Sequence, residues 1–339
     1  MGKNNNQLLE IQTKRALILD KIRQFFKSQG FLEVRTPSFV RLAGMEPYLN
    51  PLSFEFCNEK NKKYQGYVIT SPEYSLKKLL ALGFPKLFEI ARVFRQGESF
   101  GPWHNPEFTM LEWYRPNSNY KKIMKDAENL VSFLAKALYK KPVIVYGGKK
   151  IDLSLPWPRL SVKQAFKKFA GIDLDKVKSF NAFKKIVKNK DYQTNKSFDW
   201  NDLFYLIFLN EIEPNLPQNK PIIIYDYPLP QAALAKRKNK NSFYAERFEI
   251  YIAGLEIANA FSELTDWREQ EKRLKQEQKL RRQLGKEIYQ IDKDFIAALK
   301  SGIPETGGIA LGIERLEMLL LDIQDINELL PFPAKKLFE

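Results

Sequence analysis

The chain has 339 residues and a net charge of +15, and its 44% hydrophobic and 13% aromatic content excludes a disordered protein. No apolar run approaches the about 18 residues that a membrane helix needs, and the N-terminus lacks the apolar stretch of a signal peptide. The single cysteine, Cys57, excludes an internal disulfide and is typical of a reducing compartment, so we expect a cytoplasmic protein that has no membrane partner.

Helical and strand periodicities alternate along the first half of the chain. Apolar residues at helical spacing predict an amphipathic helix over 14–29. Ser71, Pro72 and Glu73 are typical of the start of a second helix. The same patterns predict strands over 31–35, 87–95 and 107–115, and a helical insertion over 161–215.

The second half continues with a buried strand over 221–225, a hairpin over 247–261, a charged helix over 267–284 and a strand over 307–312. Because hairpins join most strands, the pattern favours an α+β fold whose antiparallel sheet is flanked by helices. We expect a single domain over residues 1–339. Neither a P-loop nor a Rossmann glycine motif is present.

The first hairpin concentrates chemically useful side chains. Residues 94–114 include the only histidine, His104. Residues two apart share a strand face, so Glu112 lies on one face with Phe108 and Tyr114. A glutamate between aromatic rings is costly to bury without a cation. An amine ligand or a neighbouring lysine or arginine would each supply one, and for Glu112 alone the structural ion pair is favoured.

The second hairpin carries two glutamates. A two-residue turn at 253–254 places Glu249 opposite Ala258, with Glu256 as its diagonal neighbour on one face. Carboxylate oxygens are suitable Mg²⁺ ligands, whereas on an exposed sheet face the charges would simply be screened. Asn259 and Glu263 fall on the opposite face from Glu256. All of them reach one site only if the strand is bulged near Ala258, and we predict this irregularity.

The strand over 307–312 has a face of small residues. Gly308, Ala310 and Gly312 share that face, which lets a flat ligand approach the backbone. Arg315 follows in the first turn of the next predicted helix, where it opposes the helix dipole. Close packing of a helix on the sheet is the alternative explanation for the glycines.

The densest basic segment covers residues 236–240, with the sequence KRKNK. A solvated loop is its simplest interpretation. The alternative is a docking site for a polyanionic partner, either nucleic acid or an acidic protein, and the net charge allows both readings.

Four segments in this order resemble the class II aminoacyl-tRNA synthetase catalytic domain, in particular its lysyl subgroup. They read TSPEY at 70–74, FR…HNPEFTMLEWY at 94–114, FEIYIAGLEIANAFSEL at 248–264 and GIALGIERL at 308–316. We expect no N-terminal anticodon-binding barrel, and Ala310 stands where lysyl-tRNA synthetases usually carry glycine. With LEWYRP, these features resemble the stand-alone paralogues that ligate (R)-β-lysine onto elongation factor P.

The resemblance implies a role for each matching position. The ATP-binding residues would be Arg95, Glu98, His104, Asn105, Phe108, Glu249, Glu256 and Arg315. The residues lining the amino-acid pocket would be Glu73, Glu112, Tyr114, Asn259, Glu263 and Ala310. Arg95 and Arg315 would be catalytic, Glu249 and Glu256 would hold Mg²⁺, and Pro37 would lie near the interface of a homodimer.

The same resemblance implies the activity and its partners. The chain would use ATP to convert (R)-β-lysine or lysine into an aminoacyl-adenylate and pass it to a lysine of elongation factor P. We do not expect tRNA as a partner. Two alternatives stay open: a synthetase that charges tRNA and a non-catalytic paralogue that binds lysine or ATP. The chain departs from the family pattern at three positions. Gly97 stands where the family usually carries glutamate, and Glu98 follows one position later in a loop that looks one residue longer. Ala260 replaces the usual glycine after Asn259, and Glu314 replaces the usual aspartate.

Overall fold

The computed structural model describes residues 5–195, 198–232 and 234–339. Its strands are β1 Leu32–Glu33, β2 Phe39–Val40, β3 Ser53–Cys57, β4 Lys63–Val68, β5 Leu87–Phe94, β6 Glu107–Pro116, β7 Val143–Tyr146, β8 Lys149–Asp152, β9 Arg159–Ser161, β10 Ile222–Pro228, β11 Tyr244–Ile252, β12 Leu255–Ser262 and β13 Thr306–Gly312. Its α-helices are α1 Asn5–Ser28, α2 Glu73–Ala81, α3 Tyr120–Tyr139, α4 Val162–Ala165, α5 Phe180–Lys188, α6 Trp200–Ile207, α7 Trp267–Gln283, α8 Lys293–Gly302, α9 Ile313–Leu321, α10 Ile326–Leu329 and α11 Ala334–Phe338.

One sheet of eight strands organises the molecule, in the order β1-β5-β6-β13-β12-β11-β10-β9. Neighbours from β5 to β10 are antiparallel, and only the edge pairs β1–β5 and β9–β10 are parallel. This arrangement confirms the predicted α+β class with an antiparallel sheet flanked by helices. Strands β2–β4 and β7–β8 form two small separate sheets.

The two faces of the large sheet bury different clusters because side chains alternate along each strand. On one face, Trp113 and Leu111 pack with Phe26 of α1 and Leu130 of α3. On the other face, Tyr114 packs with Leu76 and Leu80 of α2 and with helices α7 and α8. The functional residues of β6 therefore share a face with α2, not with α1.

The segment 162–215 holds helices α4, α5 and α6 and two π-helical turns, Phe166–Ala170 and Phe208–Ile212. Phe166, Phe183 and Phe204 are buried there in a separate hydrophobic cluster, which packs against β10. Helical structure therefore occupies the segment that the lysine- and phenylalanine-rich pattern indicated.

Two predicted boundaries differ from the structure. The first helix begins at Asn5, well before residue 14, because Ile11 packs against Ile326 and Leu329 of α10. The strand expected over 31–35 is only Leu32–Glu33, which pairs in parallel with β5. Within the described ranges, no helix combines the length and the apolar character that a membrane crossing requires.

The turn of the second hairpin is at Ala253 and Gly254, as predicted. Their φ angles are 51° and 81°, the left-handed values that a type I′ turn requires at both central positions. The register of this hairpin shifts between Ile250 and Tyr251, close to the turn.

Candidate active site

A cavity of about 400 Å³ opens beside strands β6, β13, β12 and β11. Its walls come from the two long hairpins and from the start of α9. The predicted site residues that line it are Arg95, Glu98, His104, Asn105, Phe108, Glu249, Glu256, Asn259, Ala310 and Arg315. The tertiary structure thus brings the residues predicted to bind ATP into one cavity.

A β-bulge in β12 decides which side chains face the cavity. Glu256 lies opposite Tyr251 on β11. The next pair is Ala258 with Ile250, so Ile257 is the extra residue on its strand. The irregularity predicted near Ala258 is confirmed.

The bulge also corrects one predicted pairing. Glu249 lies opposite Asn259, so the predicted pairing of Glu249 with Ala258 is wrong. Without the bulge, strict alternation would send Glu256 and Asn259 to opposite faces of the sheet. With it, Glu249, Glu256 and Asn259 line the same cavity.

Arg95 is the strongest sign that the cavity takes an anion. Its guanidinium lies 5.0 Å from the centre of the Phe108 ring. Its Nε is buried and has no hydrogen-bond partner among the described residues. Burial lowers the pKa of Arg95, and the carboxylate of Glu98 is the largest influence in the opposite direction. A buried, incompletely paired cation is costly, so an anionic ligand would stabilise this arrangement.

Arg315 reaches the cavity from the first turn of α9. Its Nη1 donates to the carbonyl oxygen of Glu256 at 2.8 Å, and its Nη2 lies 2.9 Å from Nε2 of His104. Burial, and then the charge of Arg315, lower the pKa of His104. A neutral His104 accepts the hydrogen bond from Arg315 through Nε2. Glu98 Oε2 lies 4.0 Å from that same nitrogen.

Glu249 is held by three donors that the sequence patterns did not reveal. Arg247 donates to its Oε1 at 2.7 Å, and Tyr227 and Tyr251 donate to its Oε2 at 2.6 and 2.7 Å. A carboxylate offers about four acceptor positions, so Glu249 keeps one for a further ligand.

Glu256 has a different environment. Its burial, and then the charge of Glu249, raise its pKa to about 7. A cation between the two carboxylates would relieve this repulsion, and oxygen ligands suit Mg²⁺. Across the described parts of the chain, no group of three or more metal-ligating side chains comes together. Two carboxylates suit a Mg²⁺ ion that takes its remaining ligands from a bound phosphate and water.

The predicted amino-acid pocket lies deeper, on the α2 side of β6. Glu112 is 1% exposed, and it accepts hydrogen bonds from Ser71 Oγ at 2.5 Å and from Tyr114 OH at 2.9 Å. Burial, and then the charge of Glu73, raise the pKa of Glu112 to about 8. Ser71 and Glu73 also line a second cavity of about 330 Å³.

Lys77 lies at the centre of the pocket, and sequence reasoning missed it. This side chain is 1% exposed, and its Nζ lies 2.6 Å from Glu73 Oε1 and 2.5 Å from Glu263 Oε2. Glu263 Oε1 is buried and has no hydrogen-bond partner among the described residues. The spacing of four between Glu73 and Lys77 on a helix was the available signal. Glu73, Glu112 and Glu263 together outnumber the single lysine, so the pocket can hold a further positive charge from a ligand.

Two residues near the ATP cavity have positioning contacts. The side-chain amide of Asn105 forms hydrogen bonds within the protein. Its Nδ2 donates to the carbonyl of Glu107 at 2.6 Å, and its Oδ1 accepts from the amide of Ala334 at 2.9 Å. Glu314 accepts from the amide of Thr109 at 2.8 Å, next to Phe108.

Gly308 provides a direct test of the pocket's shape. A Cβ at this position would lie 2.1 Å from Glu263 Oε1 and 2.5 Å from a ring carbon of Tyr114. We expect Gly308→Ala to cost about 1–3 kcal/mol of stability through overpacking and to weaken binding of a diamino acid by at least about tenfold. Thermal unfolding and calorimetric titration measure the two effects.

Gly312 is the matched control on the same strand. A Cβ there meets nothing within 4 Å, so Gly312→Ala should leave both quantities unchanged. Equal behaviour of the two variants would contradict the pocket assignment.

The basic segment 236–240 is partly neutralised in the structure. Lys236 forms an ion pair with Glu305, and Lys238 forms one with Asp226. The segment follows Ala235, which pairs with Glu263 beside β12. It therefore lies close to the amino-acid pocket, and the docking hypothesis stays a prediction.

The antiparallel sheet, the arginine-lined cavity and the adjoining acidic pocket define a catalytic domain of the class II synthetase type. A family model described as "tRNA synthetases class II (D, K and N)" matches residues 1–336. The chain belongs to this family.

Relatives in the comparison carry two different names. The elongation factor P–(R)-β-lysine ligase of Avibacterium paragallinarum is 38% identical over 327 residues, 95% of each chain. The enzyme of that name from Histophilus somni (strain 2336) is 38% identical over 321 residues, 94% of this chain and 93% of the relative. The lysine–tRNA ligase of Buchnera aphidicola subsp. Cinara cedri is 39% identical over 338 residues, 98% of this chain but 65% of the relative.

Proposed function

We propose that the protein activates (R)-β-lysine, or lysine, with ATP and transfers it to a lysine side chain of elongation factor P. The observation that carries the proposal is the acidic pocket of Glu73, Glu112 and Glu263 beside a cavity in which Arg95 Nε is buried without a hydrogen-bond partner among the described residues. An acidic pocket suits an amino acid with two amines, and the arginine suits a phosphate. Relatives matched over 93% and 95% of their own length carry this name.

The first step joins the amino acid to the α-phosphate. A carboxylate oxygen of the amino acid attacks the α-phosphorus of ATP, the bond to the β-phosphate breaks, and pyrophosphate leaves. Negative charge builds up on the phosphate oxygens, and the fixed cations of Arg95 and Arg315 stabilise it. Phe108 offers an aromatic face for the adenine ring. Glu249 and Glu256 would hold Mg²⁺, which neutralises phosphate charge when it is bound.

The second step uses the partner's lysine. Its ε-amine attacks the carbonyl carbon of the adenylate, an amide bond forms and AMP leaves. The amine has to lose a proton first, because its reference pKa is about 10.4. We propose that this ligation occurs in the cytoplasm, where the exposed Cys57 stays reduced, and that the enzyme works as a homodimer with Pro37 near the interface.

Intact-mass measurement tests the proposal. The purified protein is incubated with ATP, Mg²⁺, elongation factor P and either (R)-β-lysine or lysine. We expect the factor to gain one lysyl residue, more completely with (R)-β-lysine. A parallel incubation with tRNA tests the alternative that the similarity to the Buchnera lysine–tRNA ligase suggests. Formation of aminoacyl-tRNA without any mass gain on elongation factor P would overturn the proposal.

Binding of the diamino acid should depend on pH. Burial, and then the charge of Glu73, raise the pKa of Glu112 to about 8, so this carboxyl is largely protonated at pH 6 in the free protein. An ammonium ligand favours its charged form, and binding therefore releases a proton. We expect affinity to rise from pH 6 to 9. Titration calorimetry in buffers of different ionisation enthalpy counts the protons released, and uptake instead of release would contradict this assignment.

The stability of the unliganded protein should change in the opposite direction. The folded pKa of Glu112 lies above its unfolded value of about 4.3. Its contribution to stability is therefore complete below that value and is lost as the pH rises through 8. Melting curves without ligand should show lower stability at pH 9 than at pH 6, and bound lysine should reduce this difference.

A further inference from the structure

Glu46 lies on a loop that lines both cavities. Gly44 and Glu46 line the second cavity together with Glu73, and Leu49 of the same loop lines the ATP cavity. The backbone continues this connection, because the carbonyl of Asn50 accepts a hydrogen bond from the amide of Gln96 at 2.7 Å, next to Arg95. The loop therefore stands where the phosphate site meets the amino-acid pocket.

The loop is held in place by hydrogen bonds from two cationic side chains. Arg281 of α7 is 1% exposed, and its Nη1 donates to the carbonyls of Glu46 at 2.9 Å and Leu49 at 3.0 Å. Lys286 donates to the carbonyl of Pro47 at 2.9 Å. Such contacts make the position of Glu46 a fixed feature of the fold, in contrast to a solvated surface acid.

One oxygen of the Glu46 carboxylate is still able to accept a hydrogen bond. Its Oε2 is buried and has no hydrogen-bond partner among the described residues. The same oxygen lies against the backbone of Gly44, where a Cβ would come within 2.3 Å of it. Buried acceptors are normally paired, so a buried, unpaired carboxylate oxygen beside a cavity is a candidate to receive a hydrogen bond from a ligand.

The charges around Glu46 come from both sites. Burial, and then the charge of Glu73, raise its pKa, while a hydrogen bond from its own backbone amide, and then the charges of Arg95 and Lys77, lower it. Glu46 is thus within electrostatic reach of the group that faces the phosphates and of the group that faces the distal amine. A diamino acid that spans the two sites passes this carboxylate.

We propose that Glu46 binds the second amine of the substrate, the one nearest the reacting carboxylate. The distal amine would occupy the pocket of Glu112 and Glu263, and the carboxylate would point to the α-phosphate near Arg95. Glu46 would then be a specificity-determining residue that selects diamino acids over amino acids with only a distal amine. This inference rests on the proposed function and adds the recognition of a second amine to it.

Ligands with and without the second amine test the proposal. Lysine, (R)-β-lysine and 6-aminohexanoate, which has only the distal amine, are titrated calorimetrically into the wild type and into Glu46→Gln. We expect the wild type to bind its preferred diamino acid at least about tenfold more tightly than 6-aminohexanoate. Glu46→Gln should weaken that diamino acid by about 10–100-fold and leave 6-aminohexanoate within about twofold.

Glu277→Gln is the matched control. Glu277 of α7 also has a pKa raised to about 8, by burial and then by the charge of Glu46, and it is absent from the lining of both cavities. We expect its variant to keep the preference for the diamino acid. An equal loss in both variants would show a general loss of negative charge and overturn the direct contact.

The outcomes separate the two proposals. Unchanged ATP affinity and melting temperature show that Glu46→Gln is folded. A wild type that binds diamino acids and a Glu46→Gln variant that keeps the full preference would overturn the role of Glu46 alone. A wild type that binds none of the three ligands would overturn the proposed function, and the role of Glu46 with it.

Discussion

Replacing Arg95 with alanine should remove most of the adenylate-forming activity without destabilising the protein. Its Nε is buried and has no hydrogen-bond partner in the described part of the chain, so the folded protein gains little from this side chain before a ligand binds. An electrostatic contact to the reacting phosphate is worth about 10²–10³-fold in rate. We expect Arg95→Ala to lower ATP–pyrophosphate exchange by this factor and to leave the melting temperature equal or slightly higher.

Arg92 of β5 offers the matched control, because this strand ends just before Arg95. Its side chain is 74% exposed and pairs with Glu107 at 2.7 Å, outside the residues that line the ATP cavity. Arg92→Ala should therefore leave exchange activity within about twofold, because exposed ion pairs contribute little. A melting temperature that falls sharply in Arg95→Ala would show that Arg95 is a structural residue. Equal losses of exchange activity in Arg95→Ala and Arg92→Ala would show that positive charge in general, and not the position of Arg95, supports the activity.

Replacing Glu112 with glutamine should weaken binding of the diamino acid and leave the stability of the protein nearly unchanged. Glutamine resembles the protonated carboxyl that a pKa of about 8 implies at neutral pH, so the change in stability should stay within about 1 kcal/mol. A charge-assisted hydrogen bond to the substrate amine is lost, which is worth about 1.5–3 kcal/mol or about 10–150-fold in affinity. Calorimetric titration with (R)-β-lysine and lysine measures this loss, and the proton release on binding should fall with it.

Glu89→Gln is the control with the opposite expected behaviour. Glu89 lies directly opposite Glu112 on β5, and it accepts hydrogen bonds from the amide of Thr36 at 2.8 Å and from its Oγ1 at 2.9 Å. Its contacts are internal, so its variant should lose stability and keep amino-acid affinity. If Glu89→Gln weakened binding as much as Glu112→Gln, Glu89 would also belong to the amino-acid pocket, and the assignment of Glu112 alone would be wrong.

Strand faces and turns could be predicted from local patterns. The period of two placed Phe108, Glu112 and Tyr114 on one face of β6, and the structure shows Tyr114 OH bound to Glu112. The parity conflict between Glu256 and Asn259 predicted a bulge, and the structure contains one at Ile257. These features depend on residues close together in the sequence, where steric rules of the backbone act directly.

The partners of the buried charges could not be predicted in this way. Lys77 pairs with Glu263, which lies in a different hairpin, and Arg281 of α7 fixes the loop of Glu46. No local pattern specifies these contacts, because they form only when segments far apart in the sequence pack together.

By itself, therefore, the sequence determined the class of fold, the family and most of the charged residues that the structure gathers in the 400 Å³ cavity. Only the tertiary structure decided which carboxylates are already satisfied and which remain open to a ligand. Glu249 has Arg247 and two tyrosines as partners, whereas Glu46 and Glu263 each keep a buried oxygen without a hydrogen bond among the described residues. The physical reason is that burial and charge pairing are properties of the packed molecule, while strand periodicity is a property of the chain.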